Sequence, residues 1–382
     1  MAKKLVAILD FGSSKITVIV AERGVNGMFN IKGSSEVEYA GYMEGEFLEP
    51  ENVKKAVSLA ISNAETNSGT KVTSLYIGVP GEFTIAVCRE SSINFPKRRK
   101  IRDIDIQQLF NIGNIYKNHP THTVINFSPI YFSLDDNRRI IEPRGLSSTR
   151  LSGFVSYILA ENNFLDFVED MMTDIGIHET EYVSAALAES LFLFEPEVRD
   201  RYAILIDCGH ISTNVMLIRG DGLLFLNSFS MGGGHISGDL SQCLKISYYQ
   251  AEGLKRKIVL SLATDDSDYY EVAGKDYLVP FSAKAANDIV MARIDLIAKF
   301  ILKCFSRCEY DFPDYIPVHL TGGGLSYIKG ARDYLSKKIG RKVDIVVPPI
   351  PQLNRPHFST SLGILDIALD HANGLNNTFF ND

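Results

Sequence analysis

The sequence predicts an α/β protein of two related parts, with a smaller subdomain set into the first. Three observations carry this reading. Apolar runs of strand length alternate with segments of helical period along the whole chain. A strand, an Asp-x-Gly turn and a second β-branched strand occur twice, as LVAILDFGSSKITVIVAERG at 5–24 and YAILIDCGHISTNVMLIRGDG at 202–222. Between the copies, residues 82–158 change character to short strands and turn-rich stretches.

The elements follow in order. KLVAILDF, KITVIVAER and IKGSSEVEYAGYM read as a meander. PENVKKAVSLAISNAETNSG reads as a helix, because Pro50 opens it, Val53, Val57, Leu59 and Ala60 repeat at helical spacing, and Gly69 closes it. VTSLYIGVPG is a strand. In the insertion, FTIAVCRE and TVINFSPIYFSL are strands, IDIQQLFNIGNIYK carries a helix, and LDDNRRIIEPRG is a turn region. NNFLDFVEDMMTDIGI is a helix ending at Gly176, and VSAALAESLFLF is a second. RGDGLLF joins the repeat's strands to another through Asp221 and Gly222, a short hairpin signal. From Gly238 to about Arg307 the pattern is mostly helical, with an acidic interruption at ATDDSDYYE. YIPVHLTGGG returns to a strand and a glycine turn, followed by the helix GARDYLSKKIG, the strand KVDIVVPP and a last helix, STSLGILDIALDHANG.

Composition bounds the function. With 382 residues, 45% hydrophobic and 22% charged, the chain is long enough for two or more cores. A net charge of −7 argues against nonspecific nucleic-acid binding, which needs a basic surface. The basic run Lys97, Arg98, Arg99, Lys100 and Arg102 reads as a solvated loop. Five scattered cysteines without a CxxC pair fit a reduced, cytoplasmic compartment, and Cys304 and Cys308 lack the partners a zinc site needs. No signal-peptide pattern and no apolar run of about 18 residues stands in the sequence.

The repeat has a chemical reading. A carboxylate at the end of a buried strand, Asp10 or Asp207, can hold a hydrated Mg²⁺, while Gly12 and Gly209 let backbone N–H groups approach a phosphate. Ser13, Ser14 and Lys15 add hydroxyls and a cation to the first turn; Ser212 and Thr213 add hydroxyls to the second. Two further glycine clusters, MGGGHISGD at 231–239 and LTGGGLSYIKGA at 320–331, each follow a strand and precede a helical segment. Such a junction leaves N–H groups for an anion. No GxxxxGK[ST] and no well-placed GxGxxG occurs, which disfavours a P-loop or dinucleotide fold.

These features resemble the actin, Hsp70 and sugar-kinase superfamily, and within it the chain is similar to FtsA, the bacterial cell-division actin homologue. The likeness rests on LDFGSSK, EPRGLSSTRLSGFVSYILAENNFLDFVEDMM, MGGGHISGDLSQCLKISYYQAEGLKRK, LTGGGLSYIKGARDYLSKKIGRKVDIVVP and STSLGILDIAL. It implies an actin-like two-domain ATPase fold with an FtsA-type insertion, called 1C. The expected division is 1–81, 159–201 and 355–382 for domain 1A, 82–158 for 1C, 202–240 and 311–354 for domain 2A, and 241–310 for a helical subdomain 2B. The resemblance implies ATP and Mg²⁺ as ligands. Asp10, Gly12, Ser13, Ser14 and Lys15 would form one phosphate loop, and Asp207, Gly209, Ser212 and Thr213 the other. Gly233 and Gly234 would face the nucleotide, Glu252 and Lys255 would reach the ribose, and Gly322, Gly323 and Gly324 would back the adenosine. On residue chemistry alone, Glu252 and Lys255 form an i, i+3 surface ion pair; His235 is expected as a structural turn residue.

Two departures from the family pattern bear on function. The second loop, usually DxGGGTTD, here runs Asp207, Cys208, Gly209, His210, Ile211, Ser212, Thr213, Asn214. A β-branched Ile211 is strained wherever φ is positive, and Asn214 removes a charge. Two readings stand: a weakened, nucleotide-tolerant scaffold, or a loop of different conformation with the site intact. In addition, HANGLNNTFFND offers only Phe379 and Phe380 as apolar candidates and no lysine or arginine, so it supplies no amphipathic membrane helix. Either the membrane is then met through a partner, or the protein works elsewhere, or a tail is missing from this sequence. The resemblance implies FtsZ and other division proteins as partners, self-association into filaments, and work at the division site on the inner face of the membrane. Two other readings are a PilM-like adaptor of type IV pilus assembly and a sugar or phosphate-chain kinase or phosphatase. The last lacks an acidic residue singled out as a base.

Overall fold

A computed structural model describes residues 4–24, 27–43, 45–274 and 278–374. Phe379 and Phe380 lie outside the described residues. Two five-stranded sheets carry the molecule, and they share one plan. In the first, Leu5–Phe11 pairs antiparallel with Lys15–Arg23, which pairs with Phe29–Glu38. On its other side, Leu5–Phe11 runs parallel to Ser74–Val79, and that strand to Glu179–Ser184. In the second, Ala203–Cys208 pairs antiparallel with Thr213–Arg219 and that with Gly222–Phe229, while Val318–Thr321 and Val343–Ile345 extend it in parallel. The repeat in the sequence is therefore a repeat in three dimensions. Asp10 stands opposite Thr17, and Asp207 stands opposite Asn214 at the same register.

The central strands are covered on both faces, which explains their nearly continuous apolar sequence: Ile8, Leu9, Ile206 and Leu205 are fully buried. Helices Pro50–Ser68 and Ser359–Ala372 pack on the first sheet. Gly363 in the latter lets it approach helix Ala185–Leu193 so closely that a Cβ there would stand 2.6 Å from the Ala188 carbonyl oxygen.

The region between the copies is a four-stranded antiparallel sheet in the order Thr84–Lys100, Ser147–Glu161, His122–Ser133, Arg139–Ile140, with helix Asp103–Gly113 on one face. It has its own core around Leu109, Phe110 and Tyr157, whose hydroxyl donates to the Phe110 carbonyl at 2.9 Å. Its strands also feed the two larger cores: Ile125 and Ile158 belong to the first, Ile130 to the second.

Three sequence readings are corrected. The basic run is not a loop, since Lys97–Lys100 ends the 17-residue strand Thr84–Lys100. Two of its charges are paired locally: Arg99 grips Asp105 through two 2.7 Å bonds and stacks on Phe95, and Arg98 reaches Asp135. The stretch read as mostly helical also holds a hairpin, Tyr269–Ala273 with Leu278–Ser282, between helices Tyr248–Lys255 and Ala283–Arg307. The period-2 alternation of YYEVA is short and sits beside an acidic turn, so the flanking helices masked it. Lastly, Gly322–Gly324 is not a helix N-terminus, because the next helix starts at Ala331.

Candidate functional site

The two Asp-x-Gly turns open into one cleft of about 1210 Å³ between the halves. Each turn is closed by the same bond: the Gly12 N–H donates to the Lys15 carbonyl at 3.0 Å, and the Gly209 N–H to the Ser212 carbonyl at 2.8 Å. The amides of Gly12 and Gly209 thus hold the turns themselves. Among the described residues, the N–H groups of Ser13, Ser14, His210 and Ser212 form no hydrogen bond within the protein, and all four residues line the cleft.

The loops also touch one another. The Ile211 N–H donates to Ser13 Oγ at 3.0 Å, and the Ile211 side chain packs against the first core. The strain feared for a β-branched residue does not arise: the positive-φ residues other than glycine among those described are Asn137 and Lys245. Ile211 therefore joins the halves in an ordinary backbone conformation. Asn214 lies beside Asp207, its Nδ2 3.5 Å from Asp207 Oδ2, and its Oδ1 accepts from Ser228 Oγ at 2.6 Å. An aspartate there would add one more charge to a crowded acidic floor.

That floor holds Asp10, Asp207 and Glu189. Burial, the neighbouring Asp207 charge and, more weakly, Glu36 raise the Asp10 carboxyl to about 7 against the pull of Lys15. Burial raises Asp207 to about 6, although Asn214 opposes the shift. Glu189, 1% exposed, is raised well above the ordinary carboxylate range by burial and by Asp207; its Oε1 accepts from Thr360 Oγ1 at 3.3 Å. Paired, partly buried aspartates facing a cleft suit a divalent cation, which would supply the missing positive charge. Glu189 escaped the sequence reading. It sits in the apolar helix Ala185–Leu193 as one polar letter, and only tertiary packing turns it to the cleft.

Of the residues that the resemblance assigned to the nucleotide, all but Thr213 and Gly234 line the cleft. Thr213 is fully buried and donates to the Met231 carbonyl at 2.6 Å. Gly234 instead makes room for the His210 ring, whose Nε2 would stand 2.6 Å from a Cβ there. The N–H groups expected free at the start of helix Gly233–Leu244 are occupied: Gly233 donates to the Gly209 carbonyl at 2.9 Å, Gly234 to that of His210 at 2.7 Å, and Gly232 to His235 Nδ1 at 3.1 Å. His235 is thus a capping residue. The glycines serve close packing between loops. Gly322, at φ 83°, could carry no side chain, since a Cβ would fall 2.2 Å from Asp207 Oδ1. Glu252 and Lys255 are not a surface pair either. Lys255 is 8% exposed, and its Nζ donates to Glu252 Oε1 at 2.6 Å and to the Gly233 carbonyl at 2.9 Å, tying two helices together at the cleft wall.

Known proteins share both the sequence and the architecture. The family model "Cell division protein FtsA" matches residues 204–363, and the model "SHS2 domain inserted in FTSA" matches residues 84–159. The cell division protein FtsA of Streptococcus pneumoniae is 27% identical over 365 residues, covering 94% of this chain and 79% of that protein. Among solved structures, the PilM–PilN type IV pilus biogenesis complex aligns with a TM-score of 0.63 at 16% identity, over 95% of this chain and 98% of that one. MreB5 of Spiroplasma citri bound to ADP aligns at 0.57 and 9% identity, over 98% and 99%. At these identities the structural likeness is one of fold: an actin-like α/β architecture carrying an SHS2 insertion. No helix among the described residues is long and apolar enough to cross a membrane. Two family-specific models that together span more than half of the chain, with a relative alike along nearly all of it, place the chain in the FtsA family of cell-division proteins.

Proposed function

We propose that this chain is an ATP-binding scaffold of bacterial division that links FtsZ to the division machinery, with ATP as a conformational ligand. The observation that carries the reading is the pair of equivalent turns facing each other across one cleft, each led into by a partly buried aspartate. Asp10 and Asp207 would hold Mg²⁺ through water, and the cation would neutralise phosphate charge. Ser13, Ser14, Lys15, Gly12 and Gly209 with Ser212 would frame the phosphates; Gly233, Glu252 and Lys255 would stand at the ribose, and Gly322–Gly324 behind the base. Thr213 and Gly234 would act through the loop rather than on the ligand. The scaffold would associate with further copies into filaments and reach the membrane through a partner. Nothing specific in the site favours the PilM-like reading.

The test is calorimetry of ATP with Mg²⁺ on the native protein and on Asp10→Ala, with phosphate release followed in the same samples. Micromolar binding that Asp10→Ala loses, with little release, is expected; absence of binding by the native protein would overturn the nucleotide reading. The partner is tested separately by co-sedimentation with FtsZ filaments at low salt, where the region 241–310 is the expected contact. No pelleting above the FtsZ-free control would remove FtsZ as the partner.

A further inference from the structure

The second loop places a histidine where the first has Ser13, and its surroundings make it more than a spacer. His210 lines the cleft, and its backbone is fixed by the bond from the Gly234 N–H to its carbonyl. Its ring lies on Gly234, and Nε2 is 3.1 Å from the Tyr248 hydroxyl. That hydroxyl has a second acceptor within reach, the Gly234 carbonyl at 3.4 Å. The pair can therefore exist in two bonded states. With neutral imidazole, the Tyr248 hydroxyl donates to Nε2. With imidazolium, Nε2–H donates to the Tyr248 oxygen, and the hydroxyl turns to the Gly234 carbonyl. Charging the ring breaks no hydrogen bond.

Two of the other cleft cations, Lys15 and Lys255, are committed. Lys15 Nζ is held by Glu36 at 2.6 Å, and Lys255 Nζ by Glu252 and the Gly233 carbonyl. The groups facing His210 are Glu252 and Lys255 on the helix that carries Tyr248, His235 on Gly233–Leu244, and Glu38 from the first half. Burial foremost, then Lys255 and His235, hold the imidazole below its ordinary range against Glu252 and Glu38, so it is neutral at pH 7. A phosphate in the cleft changes that balance by adding negative charge beside the ring.

We infer that His210 is a phosphate-binding residue of this cleft that takes up a proton from solvent as the nucleotide binds, with Tyr248 as the relay that keeps the ring bonded in both charge states. The inference rests on the nucleotide reading above. It makes affinity for phosphorylated ligands rise as pH falls, a dependence that a serine or glycine in this position cannot give.

The test uses ADP in EDTA, which removes metal-linked protons, with titrations in two buffers of different ionisation enthalpy. The native protein is expected to take up about one proton per ADP and none with adenosine. His210→Gln is expected to abolish the uptake and to weaken ADP binding several-fold at pH 6.5 with little change at pH 8.5. Uptake that persists in His210→Gln would assign the proton to Asp10 or Asp207 and overturn the inference. ADP binding by native protein without uptake would overturn it while leaving the nucleotide reading standing; no ADP binding would remove both. Imidazole resonances of the native protein give a check that needs no variant: the His210 titration should move to higher pH when ADP is added, and an unmoved titration counts against the proposal.

Discussion

Asp105 shows how one side chain organises a stretch of sequence that composition alone misreads. Its carboxylate accepts two bonds from Arg99 and a third from the Arg102 N–H at 2.9 Å, at the start of helix Asp103–Gly113. The Arg99 hydrogen bonds hold it down at about 2, below the ordinary 3.8. The folded state thus binds this proton less readily than the unfolded chain. Its contribution is complete above about pH 4 and is lost as pH falls toward 2. Urea denaturation between pH 5 and 2.5 should show Asp105→Asn losing less stability with acid than the native protein, by about 1–2 kcal/mol. Parallel acid dependence in the two proteins would show that the grip of Arg99 carries no stability.

At the level of elements, contact between helices Ala185–Leu193 and Ser359–Ala372 depends on Gly363. A methyl group there meets the Ala188 carbonyl oxygen and the Glu189 backbone nitrogen, both backbone atoms that cannot rotate away. Gly363→Ala should cost about 1–3 kcal/mol despite its better helix propensity, read as a lower urea midpoint at unchanged slope. A stabilised variant would show that the helices separate without penalty. Elements with a strong period, such as Pro50–Ser68 and the two meanders, are legible in the sequence because burial and local propensity agree there. The reading of Lys97–Lys100 as a loop fails because pairing with Ser147 and Ser148, set by a distant strand, outweighs the charge run. The site divides in the same way. Asp10 and Asp207 are legible, since a carboxylate, a glycine and hydroxyls lie within one turn. The roles of Gly234, His210 and Glu189 depend on which loop or helix lies across from them, and no local pattern records that.

For the molecule as a whole, the inserted sheet matters as much as the cleft. Asn126 binds it to the first half, through a 2.6 Å bond from the Ser184 N–H to its Oδ1. Ser156 binds it to the second, donating to the Leu223 carbonyl at 2.7 Å, and the Asp221 N–H reaches the Pro129 carbonyl at 3.0 Å. Because its side chains complete both larger cores, the insertion should not melt alone. Scanning calorimetry is expected to give one cooperative transition, and a resolved early transition would show the sheet to be an independent unit. The contact between Ser13 and Ile211 has a consequence in time rather than in energy. A phosphate that settled between the two turns would first have to part this bond, so its entry would wait on the spontaneous separation of the halves. Uptake of such a ligand would then approach a ceiling set by the protein's own breathing, however much ligand is supplied.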